Sequence, residues 1–332
     1  MNRPVDVVTS IDAIASQRAP TVYFHAEVNL LPAALAGKLN FINILTGILT
    51  DWGYQVGLVA AGNDIDAIAQ SDLSHLHIVM GDQPRFGANL LASIPGYLHG
   101  FWYLDEMGVR NNSSIRMKDF SPKGMDGQFA QQVFAKLRDK FVDGNLSKYP
   151  QANSPGFQTE KGAISLFLQD FKPSRHYPNY VSFPDLITRV IAHRGNRHVY
   201  IKPHPLQRAE DFALIMPHHD PNGGVSVVDH GIHQLLAASG LVVTQTSAVG
   251  FEAYLHKVPV VLAGQTDFHH NAVTVQDGAS VSAAMDTALA QRFHFEKYLV
   301  WFLKQNMLEP LQRKRTIERC KAILTNKGFG PL

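Results

Sequence analysis

A chain of 332 residues with 45% apolar and 17% charged side chains can fill the cores of two domains and lies outside the disordered class. A formal net charge of +2 is too small to mark a nucleic-acid binder, and a single cysteine, Cys320, excludes an intramolecular disulfide. No run approaches the roughly 18 apolar residues of a membrane-spanning helix. Residues 1–20 carry Asp6, Asp12 and Arg18 where a secretory signal needs a continuous apolar stretch, so a cytoplasmic protein is expected.

In chain order, Thr21-Val22-Tyr23-Phe24-His25 reads as a first strand, followed by an amphipathic helix over 33–51 that Gly53 can end. Strands are predicted over 55–59, 76–80 and 100–104, the last closing at Asp105-Glu106, and a helix over 128–142. Turn and linker residues crowd 149–156, which places a domain boundary near 150. A second alternating series follows, with strands at 163–168, 225–228 and 258–263, another ending at Lys202 and another beginning at Val242. Helices are predicted at 184–193, 210–216, 232–238 and 248–256. The tail from 293 reads as one or two helices with a break at Pro310. Strands alternating with helices imply parallel sheets. The predicted fold is therefore α/β: two Rossmann-like domains, 1–150 and 151–292, facing a cleft, with 293–332 crossing back.

Two segments carry the chemistry. Tyr200-Ile201-Lys202-Pro203-His204-Pro205 ends a strand in two prolines that hold the backbone extended, so Lys202 and His204 could both donate to a phosphate. Thr246-Ser247-Ala248-Val249-Gly250-Phe251-Glu252-Ala253 opens a helix with Ser247 as N-cap. Free N–H groups at Val249 and Gly250 would then form an anion seat, with Glu252 in the first turn. Side by side, the two strand ends would grip one phosphate-bearing ligand, and Glu252 could accept from two ribose hydroxyls. Read without a ligand, they are a proline-bracketed turn whose His caps nearby backbone and a carboxylate steadied by the helix dipole.

Together with Lys257-Val258-Pro259-Val260-Val261, these phrases resemble the bacterial capsule polysaccharide biosynthesis proteins. Further matches are Leu146-Ser147-Lys148-Tyr149, Phe167-Leu168-Gln169-Asp170 and Gly264-Gln265-Thr266-Asp267-Phe268. Those proteins are GT-B glycosyltransferases best known for transferring the sugar acid Kdo from CMP-Kdo. The resemblance implies a metal-independent transferase with no cofactor beyond a nucleotide-sugar donor, probed first as a CMP-linked one, and a glycan or glycolipid acceptor. It assigns the nucleotide to Gln169, Lys202, His204, Ser247, Ala248, Gly250 and Glu252. In Tyr103-Leu104-Asp105-Glu106-Met107-Gly108-Val109-Arg110 it implies a catalytic carboxylate, although the acidic order is reversed and the glycine displaced by one. Asp105 is preferred over Glu106, and Arg110 could pair with a sugar-acid carboxylate. His25 with Glu27, and His269, would stand near the acceptor or donor.

Other readings stay open on the residues. A CDP-linked polyol transferase of the teichoic-acid type pairs similar segments, and a binding subunit could keep the pocket without the chemistry. The 16 histidines include no His-Glu-x-x-His, so no metal is expected, and the absent Gly-x-Gly-x-x-Gly argues against a dinucleotide oxidoreductase. The C-terminal run Arg313-Lys314-Arg315 with Arg319 and Lys321 could touch anionic lipid at the inner face of the membrane, or could simply be the solvated face of a packed helix.

Overall fold

The computed structural model describes residues 6–7, 19–27, 30–60, 73–82, 84, 86–147, 159–169 and 178–332. They fall into two compact units, Met1–Ser114 with Leu303–Leu332, and Ile115–Phe302. The linker chemistry at 149–156 and the Lys148-Tyr149 and Asp170 positions of the family phrases lie outside the described residues.

The first unit holds five parallel strands: β1 Asp6–Val7, β2 Thr21–Ala26, β3 Gln55–Ala60, β4 Leu76–Met80 and β5 Leu90–Ala92, in the order β1-β3-β2-β4-β5. Every residue of β2 and β4 is buried, as expected of strands covered on both faces. The helix predicted over 33–51 is two helices, α1 Leu31–Leu35 and α2 Asn40–Asp51. Gly37 adopts a left-handed φ of 64° between them, a conformation that ends a helix and that glycine tolerates best. The strand expected at 100–104 is not a strand. Trp102 makes isolated antiparallel bridges to Pro95 and Leu308, because its partners are single residues of other segments rather than a continuous neighbour. Its ring stacks on Phe41 at 4.8 Å. The edge strand there is β5, whose three residues are too few to carry a periodic signal.

The tail completes this unit. Helix Arg313–Asn326 packs on α2, and Leu308, Cys320, Leu324 and Phe329 join the same core cluster as Phe41 and Leu45. Each such aliphatic burial contributes roughly 1.5–3 kcal/mol. Burial pushes the Cys320 thiol up to about 12, which makes it inert at neutral pH. Two cations of the basic run are internal braces: Arg315 donates to the Lys304 carbonyl, and Arg319 to the Lys304 and Met307 carbonyls. Among the described residues no helix is long and apolar enough to cross a membrane.

The second unit opens with α3 Gly127–Arg138, capped by Asp126, whose carboxylate accepts from Gln128 N–H at 2.8 Å and Phe129 N–H at 3.1 Å. Its buried residues Ala130, Val133, Phe134 and Leu137 follow the helical repeat, and the helix packs on α9 Phe295–Leu299. This helix, which stands before the predicted boundary at 150, is therefore part of the second compact unit. Among the described residues six parallel strands follow, β6 Ala163–Phe167, β7 Val199–Lys202, β8 Val225–Val227, β9 Ser239–Thr244, β10 Val260–Leu262 and β11 Val273–Thr274, with helix α5 Ala209–Ile215 between β7 and β8 and α6 Ile232–Ala238 between β8 and β9. Their order is β11-β10-β9-β6-β7-β8. Ile164, Leu166, Val199, Ile201, Leu241 and Val243 supply one buried face, and α4 Phe183–Ala192 and α8 Val281–Ala290 pack their apolar residues into the same cluster. The fold class read from the sequence, two Rossmann-like α/β domains, is what the structure has.

Candidate functional site

The winding of the second sheet decides where a ligand can sit. From β6 the chain steps outward through β7 to β8, then crosses to the other side of β6 and continues through β9 to β11. In open parallel sheets, ligands lodge beyond the carboxyl ends of the strands where this reversal occurs. Here that is the pair β6 and β9.

Gln169, two residues past β6, and Thr246, two past β9, meet at this point. The Gln169 Oε1 accepts from Thr246 N–H at 3.1 Å and from its hydroxyl at 2.5 Å. Thr244 Oγ1 donates to the Phe167 carbonyl at 2.8 Å, tying the same strand ends together. Gln245 is buried and donates to the Val181 carbonyl at 2.5 Å, while its Oε1 has no hydrogen-bond partner among the described residues. A polar group so desolvated and unmatched is costly unless a ligand or water completes it. Gly264, facing this corner, leaves no room: a Cβ there would come within 2.6 Å of Thr246 Cγ2.

Ser247 caps α7 Ala248–Ala253 as expected, accepting from Val249 N–H at 3.3 Å. The anion seat read from the sequence does not form as described. Val249 N–H is taken by the cap and Gly250 N–H by the Ser247 carbonyl at 2.9 Å, and the helix is only six residues before a 3₁₀ turn, Tyr254–His256. Gly250 serves packing, since a Cβ would press on the Phe268 ring at 3.2 Å and on Thr244 Cγ2 at 3.3 Å. Ala248 lies half-buried at the helix start.

Lys202 and His204 are not beside Ser247, because β6 separates their strands. Two inter-strand spacings amount to about 9.5 Å. Buried Lys202 instead pairs with the exposed Asp229 at 2.8 Å, on the β8 side. The Nδ1 of His204 accepts from Leu206 N–H at 3.1 Å, which caps the proline-bracketed turn and leaves the proton of the neutral ring on Nε2.

Glu252 is the fifth residue of α7, so it lies in the second turn rather than the first. It is 2% exposed, accepts from Ser147 Oγ at 3.1 Å, and has an Oε2 with no hydrogen-bond partner among the described residues. Burial pushes its carboxyl up to about 8, with the Ser147 bond opposing. Alongside it the His233 Nε2 donates to the Leu146 carbonyl at 3.0 Å, so its Nδ1 must accept from His256 Nε2–H, also at 3.0 Å. Burial, then His233, then Arg138 hold His256 down at about 3, against an ordinary 6.5. The folded value lies below the unfolded one, so this stability is complete above pH 6.5 and drains away as pH falls toward 3. His256→Gln should therefore flatten the acid side of the stability curve between pH 6 and 4, read from urea midpoints.

His269 is turned onto its own loop, its Nδ1 at 2.9 Å from the Thr266 carbonyl, and it stacks on His270. Among the described residues no group of three His, Cys, Asp or Glu is arranged to hold a metal.

The first unit corrects further expectations. His25, within β2 as its run predicts, does not stand ready for an acceptor or donor: it is 1% exposed, with its Nε2 at 2.9 Å from His77 Nδ1. The alternation of the strand turns it into the sheet rather than toward a ligand. The Asp105 carboxylate is occupied: it accepts from Met107 N–H at 2.8 Å, Gly108 N–H at 3.2 Å, Ser114 N–H at 3.0 Å and the Ser114 hydroxyl at 2.7 Å. Glu106 is exposed. Arg110 spends its guanidinium on Asp82 at 2.9 Å. Sequence reasoning gave no role to Ser147, His233, His256, Gln245, Asp82 or Asp229. Ser147 stands there inside a family phrase and Gln245 in the run that begins at Val242, neither with a function attached.

Residues 169–304 match the model described as capsule polysaccharide biosynthesis protein. No curated protein matches the sequence significantly. Among solved structures, the chain is similar to the β-Kdo 2,7 transferase of Thermosulfurimonas dismutans KpsC, with a TM-score of 0.54 and 13% identity over 91% of this chain and 99% of that one. It is also similar to the KpsC β-Kdo 2,4 transferase of the same organism, with a TM-score of 0.51 and 14% identity over 92% and 99%. At such identities the likeness is one of fold, a GT-B-like pair of α/β units. Over residues 169–304 the chain is thus similar to the capsule polysaccharide biosynthesis family, the one its motifs resemble.

Proposed function

We propose that this protein is a glycosyltransferase of bacterial capsule or related surface-polysaccharide assembly, with the second unit holding the nucleotide of an activated sugar. The observation that carries the reading is a coincidence of place. The stretch that matches the capsule family begins at Gln169, and Gln169 with Thr246 forms the switch point where a parallel sheet receives its ligand. Gln245 Oε1, buried and without a hydrogen-bond partner among the described residues, is a ready acceptor for a ligand donor.

The donor we propose is CMP-Kdo, in keeping with the KpsC likeness, and the acceptor a glycan or glycolipid at the inner face of the cell membrane. The sugar nucleotide is a substrate, and the reaction calls for no resident cofactor or metal. Lys202 and His204, beyond the intervening β6, would meet the outer part of the donor.

Melting curves with CMP, CDP and UDP test this. A ligand that binds only the folded protein at about 100 times its Kd adds roughly 2.7 kcal/mol. CMP should raise the transition of the second unit, and Thr246→Val, which removes the hydroxyl bonded to Gln169, should weaken CMP at least fivefold. A response to none of the three nucleotides would overturn the reading.

A further inference from the structure

Helix α7 has two flanks. On one, Glu252 faces α6, its Oε2 lying 3.8 Å from His233 Nε2. On the other, Gly250 meets the Phe268 ring, which belongs to the loop between β10 and β11. That loop is held at several points. Gly264 bridges Asn179 and lies against Thr246, Gln265 N–H donates to the Pro178 carbonyl at 3.0 Å, and the Tyr254 hydroxyl donates to the Phe268 carbonyl at 3.0 Å. All of these residues belong to the second unit. The loop therefore stands at the carboxyl end of β10, next to β9 and the Gln169–Thr246 switch point.

His269 and His270 close this loop. The Nδ1 of His269 lies 2.9 Å from the Thr266 carbonyl oxygen, which can only accept. Nδ1 therefore carries the proton, and the Nε2 of the neutral ring is a bare lone pair. This Nε2 has no hydrogen-bond partner among the described residues, and the ring is half-buried. His270 sets the plane of the ring by stacking on it at 4.0 Å. Its own Nε2 donates to the Lys118 carbonyl at 2.8 Å, its Nδ1 accepts from the Tyr298 hydroxyl at 3.4 Å, and Trp301 meets it edge-on at 4.8 Å. Burial, then His269, holds His270 down at about 4, so it is an uncharged wall. The same loop has a further unmatched polar atom, the Oγ1 of Thr266, a residue 2% exposed. An acceptor with a fixed direction suits a hydroxyl donor. In the glycosyltransferase reading the ribose belongs to Glu252 on the α6 flank, so the hydroxyls that reach the Phe268 flank are those of the transferred sugar.

We propose that the Nε2 of His269 accepts a hydrogen bond from a hydroxyl of the donor's sugar and so helps select which sugar nucleotide is used; this deepens, and rests on, the glycosyltransferase reading. The contact is absent when the bare nucleotide binds, so His269 separates a sugar nucleotide from the nucleotide alone.

The test is calorimetric titration of the full chain, in mildly alkaline buffer, with CMP and CMP-Kdo and with UDP and UDP-N-acetylglucosamine. His269→Phe keeps a ring against His270 without the lone pair, whereas His269→Gln keeps an acceptor oxygen near the place of Nε2. Both lose the bond to the Thr266 carbonyl. His269→Phe should weaken the sugar nucleotide about fivefold and leave the bare nucleotide within twofold, and His269→Gln should recover most of the loss. Equal losses in the two variants, or equal losses for a nucleotide and its sugar form, would mark a histidine that only braces its loop and would overturn the proposal. An unchanged sugar-nucleotide affinity in His269→Phe overturns it as well. In each of these cases the nucleotide still binds and the glycosyltransferase reading stands. A wild-type chain that binds none of the four ligands overturns that reading, and the His269 assignment with it.

Discussion

Asp105→Ala is expected to destabilise the first unit by about 3 kcal/mol, whatever it does to turnover. The wild-type carboxylate satisfies three backbone N–H groups and one hydroxyl, and its own backbone bridges Ala92. Each donor stripped of a charged acceptor in a part-buried loop costs on the order of 1 kcal/mol even when water replaces some of the bonds. Asp105→Asn should lose about half as much, because the amide oxygen still accepts while the NH₂ meets the Ser114 donors head-on. Glu106→Ala, at an exposed position, should stay within about 0.5 kcal/mol. Urea midpoints at constant m separate these cases. An Asp105→Ala protein with an unchanged midpoint would show that the loop does not depend on this carboxylate. Loss of activity in Asp105→Ala alone thus says little about catalysis, and Asp105→Asn is the informative variant.

A larger effect is expected where stability depends on pH. The Glu252 carboxyl, held at about 8 in the folded protein against an ordinary 4.5, binds a proton more tightly when folded than when unfolded. Stability is therefore highest below pH 4.5 as far as this group is concerned, and it falls as pH rises through the window to about 8. The rise from 4.5 to about 8 corresponds to roughly 5 kcal/mol across that window. Glu252→Gln keeps the acceptor for Ser147 and removes the titration. It should melt several degrees above wild type at pH 8.5 and close to it at pH 5. Equal melting temperatures of the two proteins at pH 8.5 would mean that Glu252 is not desolvated in solution. His256 works in the opposite sense, weakening the protein below pH 6.5, so the two variants should flatten opposite flanks of the stability curve.

The fold was legible because each buried strand is a run of β-branched and aromatic residues that stops at polar ones. Thr21–Ala26, Leu76–Met80 and Ala163–Phe167 follow their apolar stretches almost residue for residue. Legibility failed where a partner far along the chain decides the structure. Trp102 reads as a strand residue, but its bridges go to Pro95 and Leu308. The site divides the same way. Ser247 as a cap is a local property and was visible in the sequence. The placement of Lys202 two strands away from Ser247 is a property of strand order, which no local pattern encodes. The pairing of Arg110 with Asp82, and the saturation of Asp105, likewise depend on which loops the sheet brings together.

The core shared by Phe41, Leu45, Leu308, Cys320 and Leu324 also sets an order of events during synthesis. The stretch Ile115–Phe302 is contiguous and can collapse as soon as it leaves the ribosome. The earlier strands must wait for the stretch Leu303–Leu332, a delay of roughly ten to forty seconds at ~5–20 residues per second. During that interval β2 and β4 lack their final cover, so a chain shortened before Leu324 should be a client of chaperones and proteases rather than a smaller folded protein.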